Sequence, residues 1–310
     1  MHKKLSDLRI VFLGTPDFAV ATLEALIQHG ANIVGVVTAP EKAAGRGLAL
    51  QQSAVKKYAL DNQLHLLQPE KLKDENFIKE LKALQADLQV VVAFRMLPEA
   101  VWKMPTMGTI NLHASLLPLY RGAAPINWAI INGEIETGLT TFTLQHAIDT
   151  GDILLQETIA IYENETAGEL HDRMKIAGAV LMVKTLNELT AGSLQKKPQP
   201  LNTNEIKHAP KINTGTCKID WTKTTLEVYN LIRGLSPYPA AFTFLDGKQL
   251  KIYKSEKHVG QVNSAPGAFN TDKKTYLYFN CSDGFIAVQE LQLQGKKKMS
   301  VQDFLRGYRF

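Results

Sequence analysis

Cysteine is nearly absent: Cys217 and Cys281 stand alone among 310 residues. Two cysteines in a chain of this size build neither a disulfide framework nor a zinc motif, so a cytoplasmic setting is expected. Long apolar runs are missing too. Runs such as Val90-Val91-Val92-Ala93-Phe94 fall far short of the ~20 residues a spanning helix needs. The start Met1-His2-Lys3-Lys4 is basic, but no uninterrupted apolar segment or small-residue cleavage site follows, so no signal peptide is expected. At 45% hydrophobic and 21% charged, the composition excludes both a chain disordered throughout and a collagen-like repeat. A length of 310 residues suggests two domains, at about 150 residues each.

Acidic charge is scarce in one part of the chain. Residues 1–205 hold 19 Lys+Arg and 22 Asp+Glu, a net of −3, whereas residues 206–310 hold 16 and 8, a net of +8. A basic tail on a slightly acidic body suggests a polyanionic partner, nucleic acid first, with a solvated lysine-rich surface as the alternative. No basic amphipathic helix supports a membrane surface instead.

Hydropathy patterning supplies the fold class. Arg9–Gly14 reads as a buried strand, Phe18–His29 as an amphipathic helix closed by Gly30, and Ala31–Thr38 as a second strand. This βαβ unit predicts an α/β domain with a mostly parallel sheet. Residues 39–50 read as loop. Helices are expected over 53–60 and 76–84, with strands at 64–67, 88–94 and 108–113. A helix is expected over 126–132, strands at 138–144 and 153–161, and a long helix over 167–189. A stretch rich in Gly, Pro, Asn and Lys then reads as a linker. Short strands broken by Asp-Gly turns at 246–247 and 283–284 follow, which suggests a small barrel or sandwich.

The dinucleotide fingerprint is absent. Gly14 is followed by Thr15-Pro16-Asp17-Phe18, without the second and third glycines that admit a pyrophosphate, and Asp17 at the helix head repels one. A nicotinamide cofactor is therefore not supported, although a Rossmann-type fold is expected.

The densest polar constellation runs from Asn111 to Asp152. Asn111 and His113 lie two apart at the carboxyl end of a strand, so both side chains share a face and Leu112 takes the other. Ligands of open parallel sheets bind at that end. An amide beside an imidazole suits an oxyanion and a proton shuttle, or else the pair simply satisfies nearby backbone. The apolar loop Ser115-Leu116-Leu117-Pro118-Leu119-Tyr120 that follows suits a flat ring better than a phosphate. Asp149-Thr150-Gly151 matches the tripeptide of aspartic proteases, but that chemistry needs a second such motif, and none exists. Read alone, it is a turn. His113, His146 and Asp149 lack a metal-binding motif, so no metal is expected.

These residues together resemble the folate-dependent formyltransferases. The resemblance rests on Asn111-Leu112-His113, Ser115-Leu116-Leu117-Pro118, Arg121-Gly122-Ala123-Ala124-Pro125-Ile126 and Asp149-Thr150-Gly151-Asp152-Ile153. It extends to Leu13-Gly14-Thr15-Pro16-Asp17-Phe18 near the start and to Lys296–Ser300 and Asp303–Leu305 near the end, so it covers nearly the whole chain. Among family members the match is to those acting on tRNA. The resemblance implies a Rossmann-type catalytic domain over 1–195, a linker over 196–213 and an OB-like tRNA-binding barrel over 214–310. It implies transfer of the formyl group of 10-formyltetrahydrofolate, a co-substrate, to the α-amine of methionine on initiator tRNA, by direct attack, in translation initiation. It assigns the oxyanion to Asn111 and His113, and to Asp149 the orientation and charge-stabilisation of His113. Ser115, Leu116, Leu117 and Pro118 would line the folate site. A monomer is expected, with no membrane partner.

Two departures from the family pattern stand out. Leu48-Ala49-Leu50 occupies positions where relatives often carry basic residues, which leaves Arg46 and Lys42 as the tRNA candidates of that loop. Arg95 replaces a residue that is often small. The rival within the family is a formyltransferase for a nucleotide-linked amino sugar. The Arg121-Gly122-Ala123 and Asp149-Thr150-Gly151 motifs and the +8 tail favour tRNA.

Overall fold

The structure is a computed structural model, described for residues 4–44, 49–200, 206–261 and 264–309. Strand β1 (Arg9–Gly14), helix α1 (Asp17–Gln28) and strand β2 (Asn32–Val37) form the opening βαβ unit. The body of β1 is continuously apolar because the sheet is covered on both faces; Ile10, Val11, Phe12 and Leu13 are fully buried. The segment expected as loop contains an antiparallel pair, β3 (Lys42–Ala44) and β4 (Ala49–Gln51). Strands of three residues are too short to show any alternation.

Helix α2 (Ala54–Asp61) starts where the Ser53 hydroxyl accepts from the Lys56 N–H. Strand β5 (Leu66–Leu67), helix α3 (Glu75–Ala83), strand β6 (Leu88–Val92) and the short helix α4 (Glu99–Trp102) follow. Next come strand β7 (Thr109–His113), the two-residue β8 (Arg121–Gly122), helix α5 (Pro125–Ile131), and strands β9 (Glu136–Thr143) and β10 (Ile153–Ala160). Helix α6 (Ala167–Ala191) is the long one.

The seven strands of the main sheet run in the order β10-β9-β7-β6-β1-β2-β5. From β7 through β5 the pairings are parallel, and β9 joins β7 antiparallel. The Rossmann-type, mostly parallel sheet expected from the sequence is present.

The remaining elements are β11 (His208–Ala209), α7 (Thr214–Cys217) and α8 (Thr225–Leu235). Then come β12 (Ala241–Leu245), β13 (Lys248–Val259), β14 (Phe269–Thr271), β15 (Leu277–Asn280), β16 (Gly284–Leu293), β17 (Met299–Ser300) and α9 (Val301–Gly307). Their strands pair antiparallel in the order β12-β13-β16-β15-β14, with β17 on β16. This is the OB-like C-terminal sheet. Its core includes Leu250, Ile252, Leu277, Phe279, Ile286 and Leu291, and α8 closes it with Val228 and Ile232.

Two compact units emerge. One holds Met1–Arg121, Gly138–Ile159 and Asp172–Lys207; the other holds Gly122–Thr137, Ala160–His171 and His208–Phe310. In the second unit the N–H groups of Ala123 and Ala124 donate to the Ala209 carbonyl, and the Asn127 carboxamide donates to the Gly234 carbonyl. Among the described residues no helix is long and apolar enough to cross a membrane.

Candidate active site

The site is built on β7. Leu112 points toward α6, where Gly178 lets it approach: a Cβ there would lie 2.8 Å from a Leu112 methyl. Strand alternation then turns Asn111 and His113 to the opposite face. Asn111 is partly exposed, and its carboxamide has no hydrogen-bond partner among the described residues.

His113 is 7% exposed and stands edge-on to the buried Phe142 ring, with centroids 6.5 Å apart. Its Nε2 lies 2.9 Å from the Tyr120 carbonyl oxygen. A carbonyl only accepts, so the ring proton sits on Nε2. In the neutral ring Nδ1 is then bare, and it faces Asp149 Oδ2 at 4.0 Å. That separation exceeds hydrogen-bond reach but lies well within Coulombic reach. The side chains of His113 and Asp149 are 8% and 13% exposed, so water screens the pair little.

The loop after β7 is held from within. The Ser115 hydroxyl donates to the Leu119 carbonyl at 2.6 Å, and the Leu117 N–H donates to Thr140 Oγ1 at 3.1 Å. Thr140 Oγ1 donates to the Ser115 carbonyl at 2.7 Å, and the Gln156 carboxamide donates to the Leu117 carbonyl at 3.0 Å. Ser115 and Leu117 are buried, while Leu116 and Pro118 are partly exposed. Tyr120 has φ of +57°, and this left-handed residue directs its carbonyl to His113.

Asp149 sits on a turn between β9 and β10, also left-handed, with φ of +54°. The turn packs tightly on β9: a Cβ on Gly151 would lie 1.6 Å from the Thr143 carbonyl oxygen, so only glycine fits. Gln199, from the segment read as linker, donates to the carbonyls of Asp149 at 3.0 Å and Gly151 at 2.8 Å. Its own oxygen accepts from Arg121 Nε at 3.2 Å and Nη2 at 2.5 Å. A lone polar residue in a Lys- and Pro-rich stretch gave no sequence signal for this contact. On the same loop, His146 Nε2 lies 3.4 Å from Glu99 Oε1, and its ring meets Trp102 edge-on at 5.4 Å. The hydrogen bond from Lys103 holds the Glu99 carboxyl below its ordinary value, with His146 adding a smaller pull.

Arg95 donates from Nη1 to the Glu70 carbonyl at 2.8 Å and from Nη2 to the Pro69 carbonyl. It ties the loop after β6 to the loop after β5, and partial burial lowers its pKa. Arg46 lies outside the described residues, and Lys42 opens β3.

His113 and Asp149 thus face each other at 4.0 Å, and Asn111 shares the His113 face of β7, beside an apolar loop. Residues 8–186 match the Formyl transferase family, and residues 211–309 match Formyl transferase, C-terminal domain. The chain belongs to the formyl transferase family. Among its relatives, the Methionyl-tRNA formyltransferase of Parabacteroides distasonis is 53% identical over 315 residues, covering 99% of this chain and 97% of its own length. The Methionyl-tRNA formyltransferase of Azobacteroides pseudotrichonymphae is 54% identical over 312 residues, covering 97% and 96%. Solved formyl transferases share the fold. WlaRD, a sugar 3N-formyl transferase, superposes with a TM-score of 0.67 at 21% identity over 95% of this chain and 100% of its own. An N-formyltransferase from Helicobacter canadensis, solved with folinic acid and dTDP-3-aminofucose, gives 0.64 at 22% identity over 94% and 100%.

Proposed function

We propose that this chain transfers the formyl group of 10-formyltetrahydrofolate to the α-amine of methionine esterified to initiator tRNA, as a methionyl-tRNA formyltransferase acting in translation initiation in the cytoplasm. The observation that carries the chemistry is the close approach of a tautomer-fixed imidazole and a carboxylate, with an amide on the same strand face that has no partner among the described residues. The amine attacks the formyl carbon, a C–N bond forms, and the carbonyl oxygen becomes an oxyanion. The free Asn111 carboxamide donates to that oxyanion. The bare Nδ1 of His113 takes the amine proton. Asp149, 4.0 Å away, stabilises the resulting imidazolium. The protonated ring then presents Nδ1–H, first beside the oxyanion and then to the folate nitrogen as the old C–N bond breaks. Protons and electron pairs balance without a metal or a covalent enzyme intermediate.

Folate fits the surroundings. Met96 and Ile148 are 72% and 58% exposed on the loops that follow β6 and β9, the two strands neighbouring β7. Together with the 115–118 segment they offer apolar surface to a flat ring system. In this reading Leu116 and Pro118 face the folate, while Ser115 and Leu117 shape the loop behind them. The +8 tail, with Arg46 and Lys42, holds tRNA as a monomeric enzyme would. The deciding assay offers 10-formyltetrahydrofolate with methionyl-initiator tRNA and a nucleotide-linked amino sugar in competition. Formyl transfer to the tRNA amine is expected; preferential formylation of the sugar overturns the reading.

A further inference from the structure

Resting on the role of Asp149 given above, the geometry points to Gln199 as a positioning residue that sets the catalytic carboxylate by clamping its turn, with Arg121 as the clamp's anchor. Gln199 is 5% exposed, and every hydrogen-bonding capacity of its carboxamide is in use. The two N–H bonds reach the carbonyls of Asp149 and Gly151, and the oxygen receives two bonds from the Arg121 guanidinium. A guanidinium only donates and a carbonyl only accepts, so the amide has one orientation. A polar group this buried and this fully paired is costly to disturb on either side.

The clamp acts where the backbone resists. Asp149 holds φ of +54°, a left-handed conformation that Asp enters more readily than most L residues but that its surroundings still help to hold. Drawing the carbonyls of residues 149 and 151 onto one NH2 group holds it from one side, and the close packing of Gly151 on Thr143 holds it from the other. The Gln199 segment is itself seated by the paired backbone bonds between Lys197 and Ile153, both 2.8 Å. What the clamp fixes is the aim of Asp149 at Nδ1 of His113. Gln199 touches no reacting atom and works only through that carboxylate.

The test is a double-variant cycle on the full chain. Gln199→Glu keeps the acceptor for Arg121 but sets carboxylate oxygens against two carbonyls, and Gln199→Met keeps the volume without the bonds. Misplacing a catalytic group by about 1 Å costs up to ~10²-fold. Each single variant is therefore expected to lower kcat by roughly 10- to 100-fold, with KM for both substrates nearly unchanged. Asp149→Asn is expected to lower kcat as well, and adding Gln199→Glu or Gln199→Met to it should cost nothing further. A staple that merely stabilised the fold would multiply the loss and lower the melting temperature in proportion. Multiplicative loss, or full kcat in Gln199→Glu and Gln199→Met, overturns the clamp while leaving Asp149 catalytic. Full kcat in Asp149→Asn overturns both the clamp and the role of Asp149.

Discussion

The role proposed for His113 follows from a single hydrogen bond. Because Nε2–H is committed to the Tyr120 carbonyl at 2.9 Å, only Nδ1 is left for the proposed proton transfer, and the ring's angle is set by the protein itself. Asn111 is the complement: a donor with no partner among the described residues, at a modest desolvation cost because it is only partly buried. Asn111 is only partly buried, whereas His113 packs against Phe142 and holds the Tyr120 carbonyl. Asn111→Ala should therefore leave the melting temperature nearly unchanged while lowering turnover on the order of 10²-fold, the usual cost of losing one oxyanion donor. His113→Ala should lower turnover at least as much and the melting temperature as well, because it leaves a cavity and an unpaired carbonyl. Single-turnover rates together with folate binding would check this. Near-normal turnover, or a loss explained wholly by weaker folate binding, would remove the proposed roles.

At the level of elements, the turn joining β14 to β15 shows how one carboxylate organises a hairpin. Asp272 accepts from the N–H groups of Lys274 at 2.9 Å, Thr275 at 2.7 Å and Tyr276 at 3.2 Å, and from the Thr275 hydroxyl at 2.5 Å. The Thr275 hydroxyl and N–H contribute most, and together these bonds hold the carboxyl well below its ordinary value of 3.8. A depressed carboxyl stabilises the fold fully above its unfolded-state value and progressively less as pH falls toward its folded-state value. Asp272→Asn should thus melt lower than the parent at pH 7, with the gap closing as pH drops below about 4. Thermal melts across pH would show it, and a gap independent of pH would discard the argument. Asp272 lay unnoticed in the sequence, whereas β1, β6 and β7 were legible because apolar runs and period-two alternation are local signals. The Asn111–His113 face was legible for the same reason. Helix α8 carries a Thr224–Glu227 capping box, a local cue that the short-strand pattern around it obscured. Gln199 was not legible at all: its partner turn lies 50 residues away in sequence, and no spacing rule reaches that far.

For the whole molecule, the uneven charge is the property most directly tied to the partner. A net +8 over residues 206–310 attracts a polyanion without specifying its sequence, and such attraction weakens with salt as bound counterions are released. Not every lysine there is free to take part. Lys298 pairs with Glu290 at 2.5 Å and lies over the Tyr253 ring, and Lys257 lies 3.2 Å from Glu163. Lys296 and Lys297 are exposed and make no side-chain contact with an acid among the described residues. They are therefore available to phosphates. Each phosphate contact contributes about 0.7–0.9 to the slope of log affinity against log salt. Replacing Lys296 and Lys297 together with alanine should flatten the slope for tRNA by roughly 1.4–1.8, weakening binding at low salt while folate binding stays unchanged. Affinity titrations over a salt series read that slope directly; an unaltered slope would mean that these two lysines face solvent and that the basic half holds RNA through other residues.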